Sequence, residues 1–308
     1  MIINTHCHLT TYKQDFSEAM GALYENNYRR KGELNWWTGK PWTAQDFCVT
    51  PEKLVADMDR AGVDKSVIMG YYMQTMGNIK PDLAEYMSEC VTKFPDRIIG
   101  FYTANPLGGL PTVREIENYV GRGSLSGVKI MPGYDAVAIN DHRIWPIYEV
   151  TQELGVPIII HTGHSSLPHA KSLTYNHPLF IEDLALAFPN LKIIAAHTGM
   201  HWPEDGLTVL LRYPNVYGDF AFWSTMPFFK IVETMVWAKK LGLFSKLLWG
   251  TDYPEYDFEP EIAMYKKVPD YSVRHELEPF VDQRDISAFL GANAAKLFGF
   301  SHSAATPG

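Results

Sequence analysis

A chain of 308 residues with 46% hydrophobic, 20% charged and 13% aromatic residues can bury a large core, which excludes a linker or a disordered tail. Lys and Arg number 27 against 35 Asp and Glu, a formal charge of −8, which argues against nucleic acid or an anionic membrane as the main partner. Three cysteines, Cys7, Cys48 and Cys90, argue against a disulfide framework, and no run approaches the ~18 apolar residues of a membrane span, so a soluble, cytoplasmic protein is expected.

The first strand expected is Ile2 to Thr5, and it runs into His6-Cys7-His8. Thr10 to Cys48 follows as an insertion rich in aromatic residues, with Arg29 and Arg30 among them. Pro51 to Ala61 reads as a helix with Leu54, Val55 and Met58 on one stripe and Gly62 as its stop. Further on, the strands Ser66 to Tyr71, Ile98 to Tyr102, Gly127 to Met131 and Val156 to Ile160 alternate with the helices Pro81 to Lys93, Pro111 to Arg122 and Ile144 to Leu154. After a long loop, Gly163 to His177, come the helix Pro178 to Phe188, the strand Leu191 to Ala196, the helix Glu204 to Tyr213 and the strand Asn215 to Phe220. The helix Pro227 to Leu241 and the strand Leu247 to Trp249 complete the alternation, before a second long loop, Tyr253 to Asp285, and a tail, 301–308. Strands apolar at consecutive positions are buried on both faces, as in a parallel sheet. Eight such units favour one closed (β/α)8 TIM barrel over 1–300, with a lid-like insertion at 10–48 and extended loops after strands five and eight. All three additions follow the carboxyl end of a strand, where barrels keep their active sites.

His6 and His8 are two residues apart in a strand, so both imidazoles face the same side and can chelate one ion, while Cys7 faces the helices. A lone pair of this kind is weak evidence. It gains weight because His161, His197 and Asp252 each follow a predicted strand and converge on the same rim. Taken singly, each reads better as a hydrogen-bonded core histidine or a helix-capping aspartate; it is their convergence that such a reading does not explain.

His6-Cys7-His8, His161, His197-Thr198-Gly199 and Gly250-Thr251-Asp252-Tyr253-Pro254, with Gly127 to Pro132 and Gly291 to Gly299, resemble the amidohydrolase superfamily. The resemblance is to the amidohydrolase 2 branch, which includes aminocarboxymuconate semialdehyde decarboxylase, and it spans the chain except Thr10 to Cys48. It implies that His6, His8, His161 and Asp252 surround one divalent ion, Zn²⁺ first, with Mn²⁺, Fe²⁺ or Co²⁺ as alternatives. It further implies that Asp252 shuttles a proton and that His197 acts as acid–base or donates to an oxyanion. Relatives often carry Asp just before the HxH pattern, where Asn4 is the nearest polar residue here.

Lys129 is expected to hold a substrate anion, with a structural ion pair or a carboxylated, metal-bridging lysine as alternatives. His164 is the loop histidine assigned to substrate, and Trp202 and Trp223 are assigned to the pocket wall, against ordinary core packing. Arg30 is assigned to a lid that clamps a carboxylate, against a surface pair packed on tryptophan. The function expected is a metal-dependent hydrolase acting with activated water on a small, carboxylated, cyclic or unsaturated substrate. A nonoxidative decarboxylase is the alternative, followed by a barrel that binds without turnover. A homodimer is expected by analogy.

Overall fold

The computed structural model describes residues 1–10, 18–36, 38–71, 83–163, 165 and 172–300. Its strands are β1 (Ile3–His8), β2 (Lys65–Met69), β3 (Ile98–Thr103), β4 (Gly127–Ile130), β5 (Ile158–His161), β6 (Ile193–Ala196), β7 (Val216–Asp219) and β8 (Leu247–Leu248). They form one parallel sheet in the order β1 to β8. The two ends of the sheet meet: the Thr5 amide donates to the Trp249 carbonyl at 2.9 Å, Asp252 to His6 at 3.0 Å, and His8 to Tyr253 at 2.7 Å. This is the eight-stranded TIM barrel expected from the alternation of apolar runs.

Strand alternation sorts the side chains into two layers. Val67, Met69, Phe101, Ile159, Ile194 and Leu248 point inward, joined at one end by Ala294, Ala295 and Leu297. Cys7, Ile68, Val128, Ile130, Ile158, Ile160 and Ile193 point outward to the helices. Each large aliphatic side chain fully buried in this way contributes about 1.5–3 kcal/mol. The same parity sets Lys129, between Val128 and Ile130, inside the barrel.

The helices are α1 (Glu18–Lys31), α2 (Pro51–Ala61), α3 (Leu83–Lys93), α4 (Leu110–Ile116), α5 (Trp145–Glu153), α6 (Ile181–Ala187), α7 (Pro203–Arg212), α8 (Phe228–Lys240), α9 (Phe258–Tyr265), α10 (Val268–Arg274), α11 (Gln283–Ser287) and α12 (Asn293–Phe298). α2 shows how local sequence sets these boundaries. The Thr50 hydroxyl accepts from the Lys53 amide, Pro51 fills the first turn, and Gly62 at φ +71° ends the helix.

Two expectations change. Tyr253 to Asp285 is not an extended loop, because it carries α9, α10 and the start of α11. The insertion carries α1, whose Met20, Tyr24 and Tyr28 pack with Trp42 and Phe47 onto Tyr71, Met131 and Tyr134 at the barrel rim. Cys7, Cys48 and Cys90 form no disulfide. Among the described residues no helix is long and apolar enough to cross a membrane.

Candidate metal centre and active site

β1 delivers His6 and His8 to the carboxyl-end rim, where β5 ends in His161 and His197 and Asp252 follow β6 and β8. His6, His197 and Asp252 each present a ligand atom, all within 4.8 Å of one another. His8 Nε2 lies 3.2 Å from Asp252 Oδ1, and the His161 ring lies 4.9 Å from that of His197. Gly250 makes room for this packing, since a Cβ there would meet the His6 Cβ at 2.9 Å. His197 and Asp252 both sit in left-handed backbone, at φ 60° and 65°. For non-glycine residues that conformation costs on the order of 1–3 kcal/mol each, a strain that clusters at functional sites.

Hydrogen bonds fix which edge of each ring faces the centre. His6 Nδ1 is 2.9 Å from Asp219 Oδ2, and His197 Nδ1 is 2.9 Å from the Ala221 carbonyl. Both oxygens accept, so both Nδ1 atoms carry hydrogen and both Nε2 lone pairs are turned inward. Burial lowers the pKa of His6, His8, His161 and His197, leaving them neutral at pH 7. Burial works against ionisation of Asp252 and Asp219, but the neighbouring histidines outweigh it and hold both carboxyls below their usual range. Neutral imidazoles with inward lone pairs and a buried, ionised carboxylate form a donor set that suits a divalent cation.

Asn4 ties this rim together: its Oδ1 accepts from the amides of His6 (3.2 Å) and Thr251 (3.0 Å), and its Nδ2 donates to Thr251 Oγ1 (3.0 Å). The residue thus holds β1 against the turn that carries Asp252.

The other sequence-assigned residues scatter. Lys129 is fully buried with Nζ 3.4 Å from His6 Nε2, within the histidine group and away from the pocket lining; burial pulls its pKa down to about 8. Trp223 does not form pocket wall: it is fully buried, stacks on Phe220 and donates from Nε1 to the His197 carbonyl at 2.8 Å. Trp202 lies against His177, a ring distance of 4.8 Å, outside the pocket lining. Arg30 is on the exposed face of α1 and does not line the pocket, because Tyr24 and Tyr28 take the buried face. His164 lies outside the described residues.

The pocket is walled by Tyr24, Tyr71, Met131, Tyr134 and Phe222, and its free volume is about 30 Å³, room for about one water. Three residues here escape sequence reasoning. Asp219 orients His6 and accepts from the His197 amide at 2.8 Å; a lone charge in the predicted strand Asn215 to Phe220 was its signal. Glu255 lines the pocket and accepts a hydrogen bond from Tyr28 Oη of α1. Burial and the charge of Asp252 push the Glu255 carboxyl up to about 8. Glu255 and Tyr28 lie within the additions after strands eight and one but away from the strand ends themselves, so no local pattern singled them out.

Known proteins resemble this chain at low identity. A 2-amino-3-carboxymuconate-6-semialdehyde decarboxylase from Dictyostelium discoideum is 24% identical over 186 residues, 51% of this chain and 50% of that protein, so the match spans about half the relative's length. An uncharacterised TIM-barrel protein from Bordetella bronchiseptica superposes with a TM-score of 0.72 at 19% identity, covering 97% of this chain and 98% of that one. A 5-carboxyvanillate decarboxylase from Novosphingobium aromaticivorans, solved with manganese and 4-hydroxy-3-methoxy-5-nitrobenzoic acid, gives 0.67 at 15% identity, covering 97% and 96%. The structural likenesses bear on the fold. The amidohydrolase family model matches residues 3–300, and the chain belongs to that family.

Proposed function

We propose that the protein is a metal-dependent nonoxidative decarboxylase that releases CO2 from a small aromatic or unsaturated carboxylic acid. The observation that carries this reading is the meeting of Asp252 and His197 in a pocket walled by aromatic side chains, a lining whose chemistry suits a flat, conjugated substrate. The named decarboxylases among the similar proteins support it. Hydrolysis by activated water, the first expectation from the sequence, uses the same ligands and rests on family membership alone.

His6, His8, His161 and Asp252 are the proposed ligands of one divalent ion, with His197 also turned toward it. Imidazoles with one carboxylate suit Zn²⁺, and manganese is the ion in the 5-carboxyvanillate decarboxylase. Bound there, the ion supplies positive charge for the electrons left behind when CO2 departs.

The reaction exchanges a C–COO⁻ bond for a C–H bond, so one proton must reach carbon. Asp252, ionised at rest, collects that proton from a substrate hydroxyl or from water and delivers it as the C–C bond breaks. His197 accepts a hydrogen bond at Nε2 while the Ala221 carbonyl holds its ring in place. The aromatic walls hold the ring plane and exclude bulk water. The small-molecule substrate, the cytoplasmic setting and a homodimer are part of the same proposal.

The test is a panel of carboxylic acids, lactones and amides incubated in D2O and in H2¹⁸O with the metal-loaded protein. Decarboxylation places deuterium on the carbon that lost CO2 and no ¹⁸O in the product. Incorporation of ¹⁸O with retention of all carbon would overturn the reading in favour of hydrolysis.

A further inference from the structure

About 30 Å³ beside Asp252 is too little for any ring, whereas small-molecule sites run to about 300–1,000 Å³. A second cavity of about 370 Å³ lies next to it, between the carboxyl end of α1, residues Glu33, Leu34, Trp36 and Trp42, and α9. Glu255 lines both cavities, and Tyr28, which donates to Glu255, lines the outer one. The hydrogen-bonded pair Tyr28–Glu255 thus stands at the boundary of the two cavities.

The outer cavity has a definite chemistry. Tyr28, Trp36 and Trp42 present aromatic surface, and Glu33, Asp257 and Glu261 add carboxyls to that of Glu255. Arg60 engages Asp257 at 2.8 Å. Glu261 is 2% exposed; the Ser224 hydroxyl lies against its carboxyl, and no cation pairs with it among the described residues. Burial keeps this carboxyl protonated at pH 7, and an ammonium brought alongside lets it ionise as half of an ion pair. The carboxyls do not converge as metal ligands: among the described residues, the group able to hold an ion is His6, His197 and Asp252. Aromatic faces with dispersed acids suit an organic ammonium instead. Lys31 already samples this preference, with its Nζ 4.7 Å from the Tyr28 ring centroid and 3.9 Å from Glu33.

We propose that the two cavities are halves of one substrate chamber, joined when the Tyr28–Glu255 contact opens, and that the outer half takes a substrate portion bearing an amine. This rests on the reading of the inner pocket as the site of reaction. The substrate class is thereby narrowed to an acid whose carboxylate reaches the histidine cluster and whose far end is cationic. A second carboxylate at that end gains no ion pair from Glu33 or Glu261.

Calorimetric titration of the Mn²⁺-loaded full-length protein with 2-hydroxybenzoate, 4-(aminomethyl)-2-hydroxybenzoate and 4-carboxy-2-hydroxybenzoate tests the chamber. The aminomethyl compound is expected to bind about tenfold or more tighter than either of the others. Leu34→Trp, which fills the cavity from an exposed position, and Glu261→Gln are each expected to shrink that advantage to about threefold or less. Equal affinities, no binding of the aminomethyl compound, or an advantage unchanged in both variants overturns the proposal. CO2 scored in the same samples separates the two readings. An amine advantage without CO2 from any compound supports the chamber and counts against decarboxylation, and CO2 without an amine advantage does the reverse.

Discussion

Asp219 touches no solvent, yet it accepts hydrogen bonds from His6 Nδ1, the His197 amide and the Ala221 amide. A carboxylate behind a ligating imidazole fixes its tautomer and raises its basicity, and losing such a partner costs about 10–100-fold in metal affinity. Asp219→Asn is therefore expected to weaken divalent-ion binding by about that factor, read by competition with a chromogenic chelator. Asp252→Asn removes the proposed proton carrier and a proposed ligand together, so turnover should fall by about 10²–10⁴-fold or more, measured as product formation at saturating metal; near wild-type turnover would refute its role. The histidines and Asp252 were legible in the sequence because each ends or follows an apolar run, and a barrel brings all such ends to one rim. Asp219 was not assigned because its role is set by facing His6 across the barrel, which no local pattern encodes. Arg30 was misplaced for a related reason: helical phase buries Tyr24 and Tyr28, and so turns Arg30 outward.

At the scale of elements, α9 and its approach do more than connect. Tyr253 Oη donates to Asp57 of α2 at 2.9 Å, and Arg60 of α2 engages Asp257 and Glu259, so the turn carrying Asp252 and Glu255 is clamped to the first barrel helix. α9 and α10 went unread because Pro260 and Pro269 look like breakers, although each sits in a first turn, where no amide hydrogen bond is lost. Nor does a buried carboxyl on the inner face of α9 follow from hydrophobic periodicity. Burial pushes Glu261 up from 4.5 to about 8. The folded state thus holds its proton more tightly than the unfolded chain, so the stabilisation is complete below pH 4.5 and is lost as pH rises towards 8. The loss is on the order of 1.4 kcal/mol per pH unit across that window. Glu261→Gln, which cannot ionise, should therefore gain on the wild type between pH 5.5 and 8 in urea midpoints of the metal-free proteins. Parallel pH profiles for the two proteins would contradict this.

At the scale of the whole molecule, the barrel brings together residues from both ends of the chain, since His6 and Asp252 meet only when β8 and the segment after it close on β1. Ion binding at that seam must stabilise the fold, because it acts on the folded state alone. At a thousandfold excess over Kd the gain is about 4 kcal/mol, expected as an upward shift in Tm of several degrees that disappears in Asp252→Asn. The eight strands and their order were legible in the sequence because parallel strands buried on both faces leave continuous apolar runs. The insertion was legible as an addition but not in its contacts, since Tyr24 and Tyr28 pack against rim residues remote in sequence. The most direct measurement of the central claim is ¹³CO2 evolved from a panel of carboxyl-labelled aromatic and unsaturated acids, compared for metal-loaded, metal-stripped and reloaded protein. The account predicts at least one acid that yields one CO2 per molecule consumed, with activity lost on stripping and restored on reloading. Release of CO2 that persists in the stripped protein, or none from any acid at full metal occupancy, would contradict it.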